Sequence, residues 1–213
     1  GVERFVLVAS TLAEADRLLD QEQRQPRPTL AGYRQIVDLL QRGRSAAQAC
    51  PELLAPLDER LAPVQERNKR LEKAEPLLAK AEAQRQSGDW SQAARIQEQA
   101  IKALGDLATE EERDQAGRWQ EIAGAVSQAQ EQAGNALKAA REEFKRLVNG
   151  DLAAINWDEL RRQLSQGERI LAAPPAGAEP LPARWQELRE AGKELGLRAD
   201  VVQRAHGSVL AGA

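Results

Sequence analysis

The sequence predicts an all-α protein: elongated antiparallel helical hairpins, or an irregular helical bundle, with one long helix near residues 109–148. Three observations lead there. The composition is rich in Ala, Glu, Gln, Arg and Leu, whose side chains lose little rotamer freedom in a helix, and poor in the β-branched residues that favour strands. Apolar residues recur at spacings of three and four, most clearly along Trp119, Ile122, Val126, Ala129, Ala133, Leu137, Ala140, Phe144 and Val148. Helix-start pairs, a Thr, Asp or Asn followed three residues later by Glu or Gln, occur at Thr11/Glu14, Asp89/Gln92, Thr109/Glu112 and Asn156/Glu159.

Residues 1–10 read as the end of a preceding segment. The run Phe5-Val6-Leu7-Val8-Ala9 fits a strand or the start of a helix, because periodicity cannot separate the two over so few residues. Thr11 and Glu14 predict a helix start near Leu12, and Pro26 and Pro28 end that helix. A second helix begins near Thr29, carries Leu30, Tyr33, Ile36, Val37 and Leu40 on one face, and has Gly43 near its end. Pro51, Pro56 and Pro63 predict short helical pieces over 45–63, with Pro51 in a first turn. A longer helix carries Val64, Leu71, Leu78 and Ala81, is expected to kink at Pro76, and ends at Ser87-Gly88. Asp89 caps the next helix, which turns Trp90, Ala93, Ala94, Ala100, Ile101 and Leu104 inward.

Thr109 and Glu112 form a capping box, and Glu110, Glu111 and Glu112 suit the positive end of a helix dipole. No proline follows before Val148, so a helix of about 38 residues, roughly 57 Å long, is expected. It needs an antiparallel partner, several short ones, or a second chain. Gly117, Gly124 and Gly134 lie within it; each weakens a helix by about 1 kcal/mol relative to Ala, which predicts close approach of another backbone. A break at Gly134-Asn135 is the rival reading. Asn149-Gly150-Asp151 is a stop, and Asn156 with Glu159 starts a helix carrying Trp157, Leu160, Leu164 and Leu171. Residues 173–182 form a stiff Pro-rich linker or loop. The remainder, 183–213, reads as a helical pair: Trp185, Leu188 and Leu195, then, after Gly196, Val201, Val202, Ala205 and Val209, with a frayed Ala211-Gly212-Ala213 tail. Residues 11–172 are thus expected to form one helical-hairpin domain ahead of the linker.

The chain carries 30 basic and 33 acidic residues, a net charge of −3, with the signs interleaved as on solvated helix faces. A basic stripe of the kind that tracks nucleic acid is not evident. Arg67, Lys69, Arg70 and Lys73 could form an anion patch, but Glu66, Glu72 and Glu75 lie among them and favour a solvated face. Cys50 is the only cysteine and reads as a small buried residue; His206 is the only histidine and reads as exposed or packed. One of each cannot make the usual zinc or iron sets, and neither a phosphate-binding Gly-rich loop nor a convincing nucleophile–base triad is present. Carboxylate pairs such as Glu142/Glu143 sit in charged helical runs, where chance pairs are expected. No cofactor is expected. No apolar run approaches the roughly 20 residues of a membrane span, and the Phe5–Ala9 run is too short for a signal peptide. The chain has no methionine and begins Gly1-Val2-Glu3, which reads as a piece of a larger protein rather than a processed whole one.

Large aromatics recur near helix starts: Tyr33, Trp90, Trp119, Trp157 and Trp185. Their first role is to plug helix–helix junctions; their second would be to face a partner. Gly88, Trp90, Ala93 and Ala100 are similar in spacing to the turn and second helix of tetratricopeptide repeats, with Gln97 where an aromatic is usual. Asp89-Trp90 and Trp119-Gln120-Glu121-Ile122 resemble parts of the bacterial family catalogued as domain of unknown function 349. Both resemblances imply helical hairpins and non-enzymatic roles, and neither supplies a ligand.

The function expected is a helical scaffold or protein–protein interaction module in the cytoplasm; a nucleic-acid-associated regulatory domain is the alternative. Trp90, Trp185, Arg67 and Arg70 are the candidate partner-binding residues. A protein partner is expected, or a second copy through the long helix, and no membrane.

Overall fold

The computed structural model describes residues 2–148 and 156–211. It is all-helical: seven α-helices, 87% helix and no strand among the described residues. The helices are α1 (Val2–Gln23), α2 (Leu30–Ala46), α3 (Pro51–Gln86), α4 (Trp90–Leu104), α5 (Glu110–Val148), α6 (Trp157–Ala172) and α7 (Ala183–Ala211), with a 3-10 turn at Gly105–Leu107. The expected stop at Asn149-Gly150-Asp151, together with Gly1 and the tail residues Gly212 and Ala213, lies outside the described residues, as do the side chains of Val148 and Val209. The chain forms two compact units. The first is Gly1–Ala81 with Arg95–Gly117; the second is Glu82–Ala94 with Arg118–Ala213.

In the first unit α1 and α2 form an antiparallel hairpin. Thr29 starts α2 as expected: its hydroxyl oxygen accepts from the Gly32 N–H at 3.0 Å. Thr29 is itself held by Glu22 of α1, whose carboxylate accepts from the Thr29 N–H at 2.8 Å and from its hydroxyl at 3.0 Å. Glu22 lies against Gly32, where a Cβ would come within 2.0 Å of Oε1. The α2 stripe of Leu30, Tyr33, Ile36, Val37 and Leu40 is buried. At Gly43 a Cβ would lie 2.7 Å from Thr11 Cγ2 and 3.3 Å from Leu57 Cδ2, so α1 and α3 both crowd α2 there. α3 runs antiparallel to α2, with Arg44–Asp58 at 2.6 Å near one end and Arg34–Glu72 at 3.2 Å further along. Leu57, Leu61, Val64, Leu71 and Ala74 of α3 complete this core with Leu104 and Ala108.

In the second unit α3 ends at Ser87-Gly88, with Gly88 at φ 80°. The Asp89 carboxylate accepts from the Gln92 N–H at 3.1 Å and starts α4. α5 pairs antiparallel with α6, and α6 with α7. Leu137 of α5 meets both: a Cβ on Gly167 would lie 3.2 Å from it, and one on Gly192 3.4 Å. α6 is capped by Asn156, whose side chain accepts from the Glu159 N–H, and buries Leu160, Leu164 and Leu171. The segment 173–182 is a loop between α6 and α7 in which Ala178 is fully buried. Its carbonyls at Ala178 and Pro180 accept from the Trp90 indole N–H at 3.3 and 3.0 Å.

Five local expectations are corrected. α1 begins at Val2 rather than near Leu12, and Thr11 is a buried mid-helix residue; Glu14 turns instead to Arg17 at 2.6 Å. Residues 51–86 are one helix with Pro56, Pro63 and Pro76 inside it, not short pieces. Its buried stripe keeps the same phase past all three prolines, so packing on one face holds the helix where local propensity alone would end it. α7 is one helix through Gly196, not a pair; Leu195 and Ala199 face inward, whereas Val201 and Ala205 are exposed. Cys50 and Trp157 are half-buried rather than buried. Finally, α5 is unbroken at Gly134-Asn135 and Ala133 is fully buried, but a Cβ on Gly117 or Gly124 would meet nothing within 4 Å. The glycines that admit Leu137 of α5 closely belong to its neighbours α6 and α7, at Gly167 and Gly192.

Candidate partner-binding surfaces

Trp90 and Trp185 both lie inside the second unit. Trp90 is 3% exposed, and its ring meets Trp119 edge-on, with centroids 6.4 Å apart and an interplanar angle of 88°. Trp185 has no exposed surface, and its indole N–H donates to the Leu171 carbonyl at 3.2 Å. Neither ring offers a face to a partner in this conformation. The two arginines lie on α3 in the first unit. Arg67 donates to the Tyr33 hydroxyl at 3.2 Å and lines a cleft of about 510 Å³ with Asp16, Asp20 and Arg60. Arg70 bridges Asp106 at 2.6 Å and Glu66 at 3.3 Å. The structure therefore gives Arg67 and Arg70 intramolecular polar partners.

Exposed apolar residues mark another surface in the first unit. Val2, Phe5, Val6 and Leu7 are 79%, 62%, 58% and 48% exposed, and all lie on the first two turns of α1. Val8, the next residue, is buried in the core. The sequence showed this run only as an apolar stretch of undecided secondary structure. Its helical form puts Val2, Phe5 and Val6 at spacings of three and four, on one side of the helix.

The second unit has a groove between α5 and α7. A cavity of about 520 Å³ is lined on α5 by Gln130, Glu131, Gly134, Leu137, Lys138 and Arg141, and on α7 by Arg184, Glu187, Leu188 and Ala191. A smaller cavity of about 270 Å³ shares Gln130 and Arg184 and reaches Ser87 and Asp89. Gln130, Gly134, Lys138 and Arg141 follow one another at helical spacing, so one stripe of α5 forms a wall. The small residues Gly134 and Ala191 leave the space open. Sequence reasoning missed this groove; the signal available was the spacing of Lys138, Arg141 and Lys145 on one side of the long helix.

The perturbed carboxylates are fixed charges. Hydrogen bonds from Arg17, Arg85 and Arg162, each three residues along the same helix, lower the pKa values of Glu14, Glu82 and Glu159 respectively. Such groups stay ionised at neutral pH and are not poised to exchange a proton. Among the described residues no group of three or more His, Cys, Asp and Glu is placed to hold a metal ion, and no helix is long and apolar enough to cross a membrane. No protein-family model, curated protein or solved structure matches the chain.

Proposed function

We propose that this chain is a non-enzymatic helical scaffold that binds a protein partner in the cytoplasm. The observation that carries the reading is the exposed Val2–Leu7 stripe on α1. Apolar residues scattered singly are normal on a protein surface, whereas Val2, Phe5 and Val6, exposed together on one side of α1 with Leu7 beside them, form a patch of the sort that partners cover. Several charged groups around the cavities are paired, Asp16 with Arg60, Arg161 with Asp200 and Arg184 with Glu187, as on a surface that docks.

Affinity purification with the intact chain and with a Phe5→Lys/Val6→Lys variant tests this. Both side chains are exposed, so the variant should melt within a degree or two of wild type. Proteins recovered with wild type are expected to be lost with the variant. The same proteins recovered equally by both would remove the stripe as a docking surface and, with it, the support for this reading.

A further inference from the structure

We propose that the groove between α5 and α7 binds an acidic peptide segment of a partner protein, with peptide carboxylates seated on Lys138 and Arg141. The proposal rests on the interaction reading but uses residues of the second unit, and none of the Val2–Leu7 stripe. Charge decides the sign of the ligand. Arg184 and Glu187 form an ion pair at 3.2 Å and largely cancel. Lys138 and Arg141 are exposed, line the cavity, and have no ion-pair partner among the described residues. Glu131 is the one other acid on the lining, so the charge left over is two cations against one anion. Many other arginines on this unit are paired, including Arg161 with Asp200 and Arg162 with Glu159.

The rest of the lining suits a peptide. The Gln130 side-chain nitrogen is buried and has no hydrogen-bond partner among the described residues. A buried donor without an acceptor is unfavourable, and a peptide carbonyl or carboxylate would satisfy it. Leu137 and Leu188 supply an apolar floor, and Gly134 keeps it open: a Cβ there would only just touch Leu188, at 4.0 Å. Glycine inside a helix costs about 1 kcal/mol relative to Ala, and at this position the missing side chain leaves room for a ligand. A nucleic acid fits less well. Its backbone carries a charge about every 1.7 Å of duplex, and its affinity grows with the number of phosphates neutralised. Two unpaired cations beside Glu131 neutralise few.

The test is fluorescence anisotropy with the full chain and three labelled probes of matched length: a peptide of glutamates interspersed with leucines, the same peptide with lysine for glutamate, and a single-stranded oligonucleotide. The acidic peptide is expected to bind, more weakly as salt is raised, and the lysine peptide is not. Lys138→Glu/Arg141→Glu should raise Kd at least tenfold without lowering the melting temperature. Gly134→Leu fills the groove without touching its charges and should abolish binding while the far-ultraviolet spectrum stays helical. Equal affinity for both peptides, an unchanged Kd in either variant, or tighter binding of the oligonucleotide would overturn the proposal. None of these results bears on capture through Phe5 and Val6, so the two readings fail separately.

Discussion

At three helix starts a glutamate carboxylate binds the backbone N–H of the capping residue itself. Glu112 does so for Thr109 at 2.9 Å from within the same capping box. Glu22 does so for Thr29 and Glu143 for Asn156, at 2.8 and 2.9 Å, each reaching across from the preceding helix. Glu22 and Glu143 are 7% and 9% exposed, so these are shielded, charge-assisted bonds. Glu22→Ala should therefore lower unfolding free energy by about 1.5–3 kcal/mol, the range for a hydrogen bond to a charged group. Urea denaturation reads this directly, and an unchanged midpoint would show that the cap contributes nothing. Two glycines make a sharper pair. Gly88 has φ 80°, and a Cβ there would sit 2.7 Å from the Leu181 carbonyl oxygen, a backbone atom that cannot swing aside. Gly88→Ala should cost more than the about 1–2 kcal/mol of a left-handed conformation alone. Gly117→Ala, in open helix, should instead stabilise by about 1 kcal/mol. The same change of residue thus has opposite signs, and a shared sign would refute the packing described around Gly88.

At the scale of the element, four capped helix starts and the unbroken run of α5 were legible, whereas the start of α1 and the continuations of α3 and α7 were not. Thr29, Asp89, Thr109 and Asn156 act through partners three residues away, a distance that the sequence displays. The continuation of α3 past Pro56, Pro63 and Pro76, and of α7 past Gly196, depends on side chains from other helices. The Lys138–Arg141 groove was hidden for the same reason: its second wall comes from α7, more than forty residues on. Thr11/Glu14 had the spacing of a cap yet lies mid-helix, because the local pattern is indifferent to what precedes it. In α5 the close packing at fully buried Ala133 predicts that Ala133→Leu destabilises by about 1–3 kcal/mol, measured by thermal or urea unfolding. In α6, hydrogen bonds from Arg162 and then Gln163 lower the Glu159 pKa from 4.5 to about 2. A folded pKa below the unfolded one means stability present above pH 4.5 and lost as pH falls through about 2. Carboxyl-detected NMR titration should find Glu159 still ionised at pH 3, and salt should weaken the effect because the pair is exposed. A midpoint at or above 4.5 would rule the interaction out.

At the scale of the whole chain, the division into units falls inside helices and not in loops. α3 passes from the first unit to the second between Ala81 and Glu82, α4 passes back between Ala94 and Arg95, and α5 crosses again between Gly117 and Arg118. A unit that melted by itself would have to end each of these helices midway. Each new end would strip backbone N–H and C=O groups of their partners one turn away. Helix formation is cooperative along the chain, so this continuity favours joint unfolding. The aromatic residues make the prediction easy to read. All four tryptophans, Trp90, Trp119, Trp157 and Trp185, belong to the second unit, while the single tyrosine, Tyr33, is buried in the first. Tryptophan emission therefore reports one unit, whereas far-ultraviolet circular dichroism reports both. The two signals are expected to give one urea midpoint and one slope. An emission transition well separated from the loss of about half the helical signal would show that helix continuity does not couple the units.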